Sequence, residues 1–338
     1  EMMSMLYYNK DILANAGYGE PPRTWDELQE MAKKIADDGK GNVYGMVFGG
    51  AVPINSYKRI VLGLAGNTSK EIAFDFENGS YAFNRPDIIE AAKLLKQMRD
   101  NESILPASYT MKPPEAMTLF AQGQSAFYIA PRWMLNQIKD SNPDLNLGLT
   151  YTPQKDGNPP VYGYTPAQDK AYVVSKSTKH PKEVGIFIEE GFASKDFYER
   201  YVAFPIGLSP MPEVNQNESL FPYPEFNAFV DMHETHLRVE PDFAGKNPEI
   251  AKVINEIGGM EQTRVKPGFP DIIQLYVLGK EEDIEGALND YNEKLNRELA
   301  SAVETVKAQG TNVSLEDFKF PNWNPLEDYA AEQYEALK

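Results

Sequence analysis

Along this chain the apolar positions switch repeatedly between the period of a strand and that of a helix. "SMLYYN" at 4–9 is an almost wholly apolar run, and "KDILANAG" after it stops at Gly17, so the pair reads as a buried strand followed by a short helix. In "PPRTWDELQEMAKKIADDGKG", Thr24 and Glu27 fit a capping box, where hydroxyl and carboxylate each satisfy a free backbone N–H. Leu28, Met31, Ala32 and Ile35 then recur at helical steps, and Trp25 in the first turn is expected to pack on its own domain. "NVYGMVFGG" predicts a strand over 43–49. A polar loop, "AVPINS", leads from it into a helix. Residues 86–99 and the segment "PPEAMTLFAQGQ" predict two more helices, each with proline in its first turn, where the missing N–H is not needed. A strand at 125–129 gives way at Pro131, Arg132 and Trp133 to a further helix.

Around residue 155 the texture changes. "PQKDGNPPVYGYTPAQ" has the proline and glycine of a connector, and "FPIGLSPMPEV" is a second one. Between them "KAYVVSK" predicts a strand and "HPKEVGIFIEEGFASKDFYERYV" a helix pair. From 248 onward the pattern is mostly helical. Ile284, Leu288, Tyr291, Leu295, Leu299, Val303 and Val306 form one stripe with steps of three and four. Strands alternating with helices predict an α/β fold with a largely parallel sheet. Two connectors imply a chain that leaves one lobe, visits another and returns, with a cleft between them.

Composition narrows the function. The 338 residues are 42% hydrophobic and 25% charged, as in a folded globular protein of about two domains. The net charge of −17, from 33 basic and 50 acidic residues, argues against nucleic acid or an anionic membrane as partner. Residues 281–338 hold 14 acids against 5 bases and read as a solvated acidic face. There is no cysteine, which removes disulfides, thiolate nucleophiles and Cys-based zinc sites. No run approaches the length of a membrane helix.

Catalytic motifs are missing: there is no G-x-S-x-G, no phosphate-cradling glycine loop and no dinucleotide fingerprint. "HETH" at 233–236 has a spacing compatible with metal, but it is not H-E-x-x-H and reads better as a polar turn. "DDGKGN" lacks the calcium-loop pattern and reads as the end of a helix. No pair of the 50 acids is marked for glycoside hydrolysis, so a polysaccharide-degrading enzyme is the alternative from another class. Five N-x-[ST] triplets, Asn67-Thr68-Ser69 among them, match chance in an Asn-rich surface. The chemistry points to a binder with no cofactor and no catalytic residue.

"LYYNKDILANAGYGEPPRTWDELQEMAKKI", "GQSAFYIAPRWMLNQI" and "KAYVVSKSTKHPKEVGIFIEEGFASKDFYERYVAFPIGLSPMPE", in that order, resemble successive signatures of the family 1 extracellular solute-binding proteins. These are the sugar receptors of ABC importers, related to maltose-binding protein. The resemblance covers roughly residues 3–215 and weakens beyond. It implies a type II periplasmic-binding-protein-like architecture: two α/β lobes joined by a hinge that close over a sugar. Residues 1–155 and 213–338 would supply the second lobe, residues 160–208 part of an incomplete first lobe, with hinge connectors near 152–160 and 205–213.

The resemblance also places Trp133 where the family sets a stacking tryptophan, its indole offered to the apolar face of a pyranose. Asn55 and Tyr57 fall in a ligand loop of the family, though Tyr57 could equally anchor the helix that follows. Tyr164 would lie near the hinge. Arg132 departs from the small residue or proline usual there, and its fork could hold a carboxylate, so acidic, uronate-containing oligosaccharides are the alternative ligand. The implied partners are an oligosaccharide and the permease subunits of an ABC importer. The implied state is a monomer outside the cytoplasmic membrane, with export signal and any lipid anchor belonging to a missing N-terminus.

Overall fold

The structure, a computed structural model, describes residues 4–66, 73–164, 173–204, 207–260 and 264–337. Strand β1 (Ser4–Asn9) leads into α1 (Lys10–Asn15), whose N-cap Asn9 accepts hydrogen bonds from the backbone N–H of Asp11 and Ile12. In α2 (Trp25–Gly39) the capping box of Thr24 and Glu27 is formed, and Trp25 is buried with its indole N–H donated to the Leu64 carbonyl at 3.1 Å. Strand β2 (Tyr44–Met46), helix α3 (Tyr57–Leu64), the short pair β3 (Phe74–Asp75) and β4 (Ser80–Tyr81), and helices α4 (Pro86–Asp100) and α5 (Pro113–Ala121) follow. Strand β5 (Ser125–Pro131) is buried along its whole length and turns into α6 (Met134–Ser141), which returns the chain to β6 (Leu147–Tyr151).

The main sheet has the order β2-β5-β1-β6, and it corrects the expectation of a largely parallel one. Only β2 and β5 pair in parallel. β1 is antiparallel to both neighbours, with Tyr7 opposite Tyr128 on one side and Leu149 on the other. Because β5 and β6 run the same way across α6, the gap between them is filled by β1 from the opposite direction. At one edge Gly148 faces Tyr8, and a Cβ there would lie 2.0 Å from the ring, so the glycine lets the tyrosine lie flat on β6.

After β7 (Tyr162–Tyr164) the chain forms α7 (Pro181–Phe187), a π-helical turn at 188–192, α8 (Lys195–Ala203), α9 (Pro212–Asn215) and α10 (Glu225–His236). It then makes β8 (Leu237–Val239), parallel to β7, and helices α11 (Phe243–Lys246), α12 (Ile250–Ile257), α13 (Phe269–Val277), α14 (Ile284–Ala308) and α15 (Ala331–Glu335). Of the expected strand over "KAYVVSK", residues 170–172 lie outside the described residues, and 173–176 are not strand. The stripe of α14 is buried from Ile284 to Val306 as its spacing predicts. Each such side chain contributes about 1.5–3 kcal/mol of burial before entropy is counted. Beyond α14 helix is sparser than expected, because Val313, Phe318, Phe320 and Tyr329 pin an irregular tail to the core.

The chain divides into two compact units, Glu1–Ala167 with His236–Lys338, and Gln168–Thr235. These boundaries lie later along the chain than the connectors marked in the sequence. Residues 213–235 cluster with the segment before them: Asn215 exchanges two hydrogen bonds with the Ser209 backbone, at 2.7 and 2.9 Å.

Candidate functional site

The corner after β5 is fixed from below. The Tyr7 hydroxyl donates to the carbonyls of Pro131 and Arg132, at 3.1 and 3.2 Å. Trp133 then occupies the N-cap position of α6, half-buried. The loop after β2 is brought close by two glycines. A Cβ on Gly49 would lie 2.3 Å from the Pro113 nitrogen, and one on Gly50 2.7 Å from the Ser108 carbonyl. Only glycine permits that approach without moving backbone. Gly50 is held further by its N–H to Ser108 and by the Gln274 side-chain amide on its carbonyl, at 2.7 and 3.2 Å. The loop then makes a turn at Pro53–Asn55, and the Ser56 hydroxyl donates to the Val52 carbonyl at 3.1 Å.

A small cavity of about 50 Å³ lies between these two segments. Trp133, Met134 and Pro131 line it from the corner, Gly49, Asn55 and Ser56 from the loop, and Arg59 from the first turn of α3. The Arg59 guanidinium carbon sits 5.2 Å from the centre of the Trp133 ring, in the range of a cation–π contact. Pro53 and Ile54 of the same turn, with Lys58, Phe83, Lys266, Phe269 and Asp271 among others, line a larger cavity of about 410 Å³.

The structure thus brings Trp133 and Asn55 together. Tyr57 is fully buried, its ring edge-on to Phe48 at 5.2 Å, and it lines neither cavity. Burial holds its hydroxyl proton, pushing the pKa up to about 12 against the smaller opposing effects of Gln274 and Arg99. Arg132 is half-buried and lines neither cavity. Tyr164 closes β7 opposite Val239, and its side chain lies outside the described residues. Arg59, Lys58 and Lys266 were not marked by the sequence pattern. The available signal was a pair of cations in the first turn of an otherwise apolar helix, where the helix dipole favours acids.

Among the described residues no cluster of His, Asp and Glu is arranged to hold a metal. His233 is buried and donates from Nδ1 to the Phe229 carbonyl at 3.0 Å. The His236 ring meets Tyr151 edge-on at 4.6 Å, and burial, with Arg238 nearby, lowers its pKa. No described helix is long and apolar enough to cross a membrane.

Residues 1–195 match the family model for bacterial extracellular solute-binding proteins. Over 273 residues the chain is 28% identical to a binding protein of Brucella abortus (strain 2308), covering 79% of this chain and 62% of the relative, so it spans less than two thirds of that relative's length. It is 27% identical over 142 residues to the sn-glycerol-3-phosphate-binding periplasmic protein of Escherichia coli (strain K12), covering 40% of this chain and 30% of that one. Among solved structures, the sugar-binding protein MalE of Xanthomonas citri superposes with a TM-score of 0.64 at 18% identity, over 90% of this chain and 71% of that one. That likeness shows the fold, the two-lobe type II architecture of the periplasmic binding proteins. With the family match extending over more than half of the sequence, the chain belongs to the bacterial extracellular solute-binding proteins, family 1.

Proposed function

We propose that this chain is the carbohydrate-binding part of a receptor for an ABC importer, acting outside the cytoplasmic membrane as a monomer. The observation that carries the reading is Trp133. Its half-buried indole stands at a fixed corner beside a cavity whose opposite rim is the polar Asn55. A flat apolar ring face next to hydrogen-bonding groups suits a pyranose, which has C–H bonds on its faces and hydroxyls around its edge. The sugar-binding neighbour and the polyol-phosphate-binding relative are consistent with a polyhydroxylated ligand.

In this reading residues 1–155 and 236–338 belong to one lobe, and 160–208, with the segment 213–235 that clusters with it, to part of the other. Ligand contact with both lobes would shift the population toward a closed form. Asn55 binds hydroxyls, and Tyr164 is a second candidate contact. Tyr57 supports the loop rather than touching the sugar. An N-terminal lipid anchor is part of the proposal, and no catalytic step is.

A thermal-shift panel of neutral and acidic oligosaccharides tests this. A ligand at about a hundred times its dissociation constant stabilises the fold by about 2.7 kcal/mol, a clear rise in Tm. Trp133→Ala should then weaken binding by about tenfold or more, near 1.4 kcal/mol, with the melting of the free protein unchanged. Silence across the panel, or undiminished affinity in the variant, would count against the receptor reading and the stacking role respectively.

A further inference from the structure

The loop that carries Asn55 to the cavity beside Trp133 has no side chain to anchor it. Residues 51–55 are exposed or half-buried, and burial resumes only at Ser56. Its course is therefore set by hydrogen bonds to its backbone. Three of these come from one short segment, 108–111: the Phe48 N–H donates to the Ser108 hydroxyl at 3.3 Å, the Gly50 N–H to the Ser108 carbonyl at 2.7 Å, and the Ala51 N–H to the Met111 carbonyl at 3.0 Å. All three hold N–H groups, and all act on the same side of the Gly50 peptide.

The tie on the other side comes from far along the chain. Gln274, 224 positions away on α13, donates its side-chain amide to the Gly50 carbonyl at 3.2 Å. Its helix is a firm base, because Phe269, Ile272, Ile273 and Val277 are all buried in the main core. The same side chain lies close enough to the buried Tyr57 hydroxyl to ease its ionisation against the effect of burial. Gln274 thus braces the loop at both ends, at Gly50 where it begins and at Tyr57 where it enters α3. It lines neither the cavity beside Trp133 nor the larger one.

We infer that Gln274 is a positioning residue of the sugar site: from α13 it holds the Gly50 carbonyl, and so fixes the loop that sets Asn55 opposite Trp133. The inference rests on the sugar-receptor reading and adds to it a residue that does not touch the ligand. A loop already in place has little freedom left to lose when the sugar arrives, whereas a loosened one must be ordered at the expense of affinity. One partly buried amide hydrogen bond is worth about threefold to tenfold in such an equilibrium.

The test is isothermal titration of the full chain with maltotriose, raffinose and trigalacturonate, repeated on two variants with whichever binds tightest. Gln274→Leu removes the donor at similar volume and should weaken binding by about threefold or more, equally at each pH. Gln274→Glu keeps the shape, but its ionised carboxylate can only accept, and it faces a carbonyl. Protonated, it donates again, and an acceptor opposite it raises its pKa above the ordinary carboxyl value of about 4.3. Its deficit against the parent at the same pH should therefore be full near about pH 7 and shrink by half or more near about pH 4.5. In an Asn55→Ala background the deficit of Gln274→Leu should largely vanish, since the group it positions is gone. A residue that only stabilised the fold would lower Tm in both variants and leave room-temperature affinity unchanged, and that result would overturn the inference. A Gln274→Glu deficit that ignores pH, or a Gln274→Leu deficit undiminished without Asn55, would overturn it too. In each of those cases the parent still binds and the sugar receptor stands; a parent that binds none of the three sugars would instead remove the receptor reading, and this role with it.

Discussion

Tyr57 shows what a residue can and cannot disclose in advance. Its place in a polar loop suggested either a ligand contact or an anchor, and only burial separates the two. Being buried, it holds its proton more tightly than the unfolded chain does, with a pKa of about 12 against the ordinary 10. Its contribution to stability is therefore complete below pH 10 and is lost as pH rises from 10 toward 12. Burial raises Tyr81, Tyr109, Tyr128 and Tyr162 in the same direction. Tm followed against pH should fall steeply above about pH 10, and Tyr57→Phe should soften that fall; an unchanged slope would show that its hydroxyl does not titrate with unfolding. Trp133 was legible as an aromatic at a strand-to-helix corner, and Asn55 only through the resemblance, by its place in a ligand loop of the family. Lys58 and Arg59 were not, because a charged residue on a helix is ordinarily solvated, and sequence gives no measure of its burial.

Elements were legible where the signal is local. The capping box of α2, the proline starts of α4 and α5, and the stripe of α14 are all where the pattern puts them. Strand direction was not, because β1 takes its orientation from β5 and β6, more than a hundred residues away. Alternating strands and helices describe connections, and they do not exclude an antiparallel strand inserted between two parallel ones. Close packing between elements was equally silent. Gly45 on β2 lies against α2, where a Cβ would come within 2.4 Å of the Ala32 carbonyl. Ala32 is fully buried, so the helix cannot yield outward without opening the core. Gly45→Ala should cost about 1–3 kcal/mol, read as a lower denaturant midpoint with an unchanged m-value. A midpoint within error of the parent would mean that α2 slides freely over the sheet.

At the scale of the whole molecule, the two units differ in how they are held together. The large aromatic and aliphatic core, from Leu6 to Tyr329, is drawn wholly from Glu1–Ala167 and His236–Lys338. Among the described residues of Gln168–Thr235 the buried apolar ones are few: Val202, Val214, Phe226, Phe229, Val230 and Met232. Val173, Ile186, Phe187 and Phe204 are exposed there, and α7 buries no residue at all. The chain leaves the larger unit after β7 and re-enters it at β8, two strands that pair in parallel from Tyr162–Leu237 to Tyr164–Val239. Bridging them requires running back about 10 Å, the length of three strand residues. A flexible Gly/Ser linker of about eight residues reaches further than that. Replacing residues 168–235 with such a linker should therefore leave a cooperatively folded unit, with Tm within a few degrees of the full chain and its near-ultraviolet circular dichroism kept. The excised segment alone should melt without cooperativity, since its buried side chains are too few to offset the entropy of ordering it. If the linked unit instead loses cooperative unfolding, its core depends on the smaller one, and it is not the self-supporting body that its packing describes.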